Sequence, residues 1–145
     1  MAAIDNPPLP MCNHLLPSLL IGVPFIDQEH DDLVAQFVIL LNNPDAFPDT
    51  ECFSAVLSQL GRQIIIHFTN EEIFFESLGM PENEVLNHVK AHILILDQYS
   101  RLNLDLMQGK TLSRTDVLLM IKDWIVGHAI SFDLDIKKYL PKTTQ

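Results

Sequence analysis

Five of the six histidines stand where helical spacing would give them a partner ligand, or on a helix of their own. His67 is followed four residues later by Glu71, His88 four later by His92, and His128 five later by Asp133. His30 lies in the acidic run Asp27-Gln28-Glu29-His30-Asp31-Asp32. Four residues turn an α-helix by about 400°, so His67/Glu71 and His88/His92 each present two side chains to a common point. The neighbours on those faces are apolar: Leu60, Ile64 and Phe74 beside the first pair, Val85, Ile95 and Tyr99 beside the second. Five imidazoles and two carboxylates in a core are costly to desolvate unless something pairs them, and a metal does so.

The third pair is less regular. Five residues make about 500°, which leaves His128 and Asp133 roughly 140° apart on an ideal helix. Asp135, seven residues on, shares the face of His128 but lies about 10 Å along the axis, too far for one compact site. Asp133 can reach it only if the helix is locally unwound or bulged. His14 has no partner and reads as a bystander, and Glu72, about 100° around from Glu71, as solvated.

The donor set narrows the metal. Seven ligands exceed one tetrahedral zinc, and no cysteine spacing suits a structural zinc site. Calcium and magnesium prefer oxygen, so two six-coordinate transition ions sharing carboxylates fit best, iron before manganese.

Four elements must position these residues. Asp27 reads as the N-cap of a helix over about 27–42, broken at Asn42-Asn43-Pro44-Asp45. A second helix is predicted from about Asp49 to Leu78, with Gly79 at its C′ position and Pro81 beyond. A third is predicted from about Glu82 to Gln108, ended by Gly109. A fourth starts at the N-cap Ser113, carries the stripe Val117, Ile121, Trp124/Ile125, His128, and stops before Pro141. The expected fold is all-α: an up-down antiparallel four-helix bundle. Residues 1–26, with five of the nine prolines, read as an extended N-terminal arm over the bundle of residues 27–140. Residues 141–145 read as a frayed tail.

The remaining composition bounds the function. The formal charge is −10 and the first basic residue is Arg62, which argues against nucleic acid and anionic membrane as partners. The apolar stretch Leu15–Ile26 is too short for a membrane span and holds Pro17 and Pro24. Cys12 and Cys52 read as reduced thiols, and a start without a basic segment points to the cytoplasm.

His30, His67-Phe68-Thr69-Asn70-Glu71, His88-Val89-Lys90-Ala91-His92 and Trp124-Ile125-Val126-Gly127-His128 with Asp133 resemble the hemerythrins, in particular the bacterial ones. The likeness spans about residues 19–140 and includes the Gly79-Met80-Pro81 turn. It implies a non-haem diiron site, Fe2+/Fe3+ with a bridging oxo or hydroxo group, that binds O2 reversibly for transport, storage or sensing. Azide, NO and other small anions are the further ligands expected. His88, His92 and His128 would hold one iron, and His30 and His67 the other, which keeps an open position. Glu71 and Asp133 would bridge, which selects Asp133 as the seventh ligand. Phe68, Trp124, Ile125 and Ala129 would line the O2 pocket. Ala129 stands where the family often has isoleucine. That should open space and speed autoxidation, unless a neighbour such as Leu33 fills the gap.

Other functions remain in view. A diiron oxidase, peroxidase or nitric-oxide-reducing enzyme of the ferritin-like kind would use Glu-x-x-His pairs, and this chain has none. A regulatory domain read by a partner is a further alternative. A metalloprotease-like zinc helix would need glutamate where Val89 stands.

Overall fold

The computed structural model describes residues 19–42 and 51–141, and only the backbone of residues 51 and 52. The parts of the expected arm and tail at 1–18 and 142–145, with Cys12 and His14, lie outside them. So does most of the predicted break after the first helix. Every described element is helical: α1 (Pro24–Leu41), α2 (Glu51–Leu78), α3 (Glu82–Met107) and α4 (Arg114–Lys122). A π-helical turn (Asp123–Gly127), the short α5 (His128–Ser131) and a 3-10 helix (Asp133–Tyr139) continue α4. The first helix packs on α2 and α4, and α2 packs on α3. No described helix is long and apolar enough to cross a membrane.

Helix starts and stops follow local chemistry, with one correction. Pro24 opens α1 at the position where its missing N–H costs nothing. Asp27 is therefore not an N-cap. Its carboxylate reaches back to accept the N–H groups of Ile21 at 2.8 Å and Gly22 at 3.0 Å. This fastens the segment before the helix, where Ile21 and Val23 are buried. The first helix thus begins at Pro24, three residues before the expected start at Asp27. Gly79 (φ +70°) and Gly109 (φ +72°) end α2 and α3 in the left-handed conformation expected of them. Ser113 caps α4 by accepting the Asp116 N–H at 3.2 Å.

The core has two apolar parts. The larger contains Leu33, Leu57, Leu60, Ile64, Phe68, Ile95, Ile121, Trp124 and Ile125. The smaller contains Ile21, Val23, Ile26, Phe75 and Ile136. Near the ligands of α2 the buried aromatic is Phe75, not the expected Phe74, which is half-buried and meets Phe25 edge-on. Ligands fall between the two parts along the helices: His30 between Ile26 and Leu33, Glu71 between Phe68 and Phe75, His128 between Ile125 and Ile136.

One close approach in the larger part is testable. A Cβ on Gly61 would overlap the ring and hydroxyl of Tyr99, whose O–H donates to the Leu57 carbonyl at 3.0 Å. Gly61→Ala is expected to eject Tyr99 and destabilise the fold by about 1–3 kcal/mol, read by thermal denaturation. An unchanged melting temperature would mean that the helices separate there at no cost.

Candidate metal centre

The seven predicted ligands converge, all of them buried. Two groups of ligand atoms could each hold a metal ion, with all atoms in a group within 4.8 Å of one another. One is Glu71, His88, His92, His128 and Asp133; the other is His30, His67, Glu71 and Asp133. The two carboxylates belong to both groups.

Their oxygens divide between the groups. Glu71 directs Oε1 to the Nε2 atoms of His92 at 3.1 Å and His88 at 3.4 Å, and Oε2 to His67 Nε2 at 3.3 Å. Asp133 directs Oδ1 to His88 at 2.9 Å and His128 at 3.2 Å, and Oδ2 to His30 at 2.9 Å. All five inward nitrogens are Nε2. Those of His88 and His128 are 3.1 Å apart. Two nitrogens about 2.1 Å from one ion, at right angles around it, are about 3 Å apart.

Local distortion is what brings Asp133 in. The His128 N–H bonds to the Asp123 carbonyl across the π-helical turn, where Asp123's carboxylate lies so close to Gly127 that a Cβ would overlap it. Past α5 the helix breaks at Phe132 (φ −129°, ψ −50°), and Asp133 opens the 3-10 helix. These departures remove the 140° offset of an ideal helix. Asp135 is exposed and takes no part.

The electrostatics suit a cation. Burial disfavours protonated His67, but its hydrogen bonds to Glu29 and Glu71 and the charge of Asp133 outweigh that and raise its pKa to about 10. His88 is raised to about 9 against the same burial penalty, by hydrogen bonds to Asp133 and Glu71. Burial and mutual repulsion oppose ionisation of Glu71, yet contacts with His67, His88 and His92 hold its pKa far below the usual range. Asp133 is likewise held down, against complete burial, by His128, His30 and His88. Several buried atoms lack a well-aligned hydrogen bond, three of them despite lying within 3.3 Å of an opposite group: His67 Nε2, Glu71 Oε2 and Asp133 Oδ1, with His30 Nδ1 the fourth. The first three point into the cluster, and a cation there would satisfy all three. The donor set, imidazole and carboxylate without thiolate, fits a transition ion.

Two carboxylates outside the predicted set touch it. Glu29 Oε1 accepts from His67 Nδ1 at 2.7 Å, and Oε2 from Asn70 Nδ2 at 2.6 Å. Glu72, expected to be solvated, accepts from His92 Nδ1 at 2.8 Å while staying 39% exposed. The signal for both was adjacency. A residue next to an inward ligand lies about 100° around the helix, facing the neighbouring helix rather than water.

Beside the second group lies a small cavity of about 10 Å³, lined by His30, Leu33, Ile64, His67, Phe68, Trp124, Ile125, His128 and Asp133. It is at the lower limit for one water-sized molecule. Phe68, Trp124 and Ile125, three of the four residues expected around an O2 pocket, line this cavity. Ala129 is fully buried but does not line it, and Leu33 and Ile64 complete the wall. Among known proteins, no family model, no curated protein and no solved structure matches the chain.

Proposed function

We propose that this chain is a cytoplasmic O2-binding protein of hemerythrin type: an up-down antiparallel four-helix bundle holding two iron ions. The observation that carries this reading is the division of each buried carboxylate, one oxygen toward each histidine group. His88, His92 and His128 would hold one ion and His30 and His67 the other, with Glu71 and Asp133 between them. His30 and His67, which would hold the ion with fewer histidines, both line the cavity. When bound, the iron pair supplies the electrons and the open position that reversible O2 binding requires.

The chain's own residues supply selectivity. Leu33, Ile64, Phe68, Trp124 and Ile125 wall the cavity with apolar surface and exclude bulk water and large reductants. The only donor on Trp124 is engaged elsewhere, its Nε1 donating to Gln98 Oε1 at 2.8 Å. Apart from the ligands themselves, no wall residue offers a proton, which favours release of a small neutral molecule over its reduction.

The test is anaerobic reconstitution with ferrous iron, then exposure to air while visible absorption is followed. Two irons per chain, and a band that appears with O2 and fades under argon, is the expected result. Irreversible turnover with consumption of added reductant would replace this reading with a diiron enzyme. One tightly held ion per chain would end it.

A further inference from the structure

Each side of the cluster has one imidazole held from behind by a carboxylate of the neighbouring helix. On α1, His30 points in while its neighbour Glu29 reaches sideways to His67 of α2. On α2, Glu71 points in while its neighbour Glu72 reaches sideways to His92 of α3. In both dipeptides a rotation of about 100° splits the work, one residue inward and one lateral. A ligand histidine whose outer nitrogen donates to a carboxylate has its tautomer and ring orientation set, leaves Nε2 free, and becomes a stronger donor.

The two clamps are unequal. Glu29 is 22% exposed, and its second oxygen is held by Asn70. Glu72 is 39% exposed. His30, by contrast, has its outer nitrogen buried without a partner. On the two-histidine side, orientation therefore rests on the Glu29–His67 bond.

We infer that Glu29 and Glu72 are positioning residues, each strengthening the metal affinity of one side of the centre, with Glu29 and Asn70 setting that of the two-histidine side. This rests on the two-ion reading above.

The test is an anaerobic titration with Co2+, whose visible absorption reports each ion as it enters, run against a competing chelator. Glu29→Gln keeps an acceptor and removes the charge; Glu29→Ala removes both. Affinity for the more weakly held ion is expected to fall roughly 10-fold in the first variant and about 100-fold in the second. The other ion should enter as before. Glu72→Ala should give the reverse pattern with a smaller shift, and Asn70→Ala a partial copy of the Glu29 variants. Circular dichroism identifies a variant that fails to fold; Glu29→Gln, which keeps the side-chain shape, then decides the matter. Both steps weakening together would make the carboxylates merely structural, and unshifted steps would leave them no role; either overturns the inference alone. A wild-type chain that takes up only one ion, or none, overturns the two-ion reading and this inference with it.

Discussion

Loading the chain with Fe2+ under argon, or with Co2+, is expected to raise its melting temperature by roughly 10 °C or more at about pH 8. An ion present at about a thousand times its dissociation constant stabilises by about 4 kcal/mol. The gain should be smaller near pH 6, for a reason fixed by the proton affinities. His67 and His88, raised to about 10 and about 9, carry protons in the metal-free chain and must lose them to act as ligands. Metal binding therefore competes with protons, less so as pH rises.

The metal-free chain should show the opposite trend. Raised histidine pKa values contribute stability that is fully present below about pH 6.5 and is lost as pH climbs through about 9 to 10. The depressed pKa values of Glu71 and Asp133 contribute stability present above about pH 4.5 and lost as pH falls toward their folded values. The metal-free melting temperature should peak between about pH 5 and 6.5. Thermal melts with chelator and with metal, across that range and up to about pH 9, check both trends. A metal-induced gain that shrinks with rising pH would count against ligation by these imidazoles.

The second large effect separates a shared ligand from a private one. Asp133→Asn keeps the shape of the side chain but removes the charge facing His30, His88 and His128. In the metal-free chain it leaves buried imidazoles short of their partner, at a cost of about 3–5 kcal/mol. Because Asp133 serves both groups, both ions should be held weakly. His30→Ala touches one group only and should leave one tightly bound ion per chain. Metal content after gel filtration, by elemental analysis, distinguishes the two. An Asp133→Asn chain that retains two ions would show that this carboxylate is not shared.

What could be read from the sequence tracks how far each feature depends on ideal helix geometry. The pairs His67/Glu71 and His88/His92 need only a regular helix, and the helix ends at Gly79, Gly109 and Ser113 need only local turn or cap chemistry. Asp133 needed the π-helical turn and the break at Phe132, which spacing permits but does not require; the family resemblance selected it. Asp27 misled because an acidic residue before an apolar stripe suits an N-cap as well as it suits a clasp on the preceding segment. Glu29 and Glu72 were hidden for another reason. A residue at the edge of a helix's inward face is polar whether it meets water or a neighbouring helix, and only packing decides which. The cavity wall depended on packing too: Ile64 had no signal beyond belonging to the core, and Leu33 was expected only as a filler of the space beside Ala129.

The seam of imidazoles and carboxylates between the two apolar parts bears on how ions would reach a buried site. The smaller part joins Ile21, Val23 and Ile26 from one end of the described chain to Ile136 from the other, around Phe75. Without metal it is joined to the larger part across a layer of titratable groups rather than by continuous apolar contact. It is therefore the end expected to breathe first, lifting the 3-10 helix that carries Asp133 and swinging one shared ligand clear of the rest. Amide hydrogens over 133–139 should then exchange well before those of α2 in the metal-free chain, and the difference should narrow once metal is bound. Such a bundle needs no permanent channel for its metal: the same ions that enter through the opened end would hold it shut.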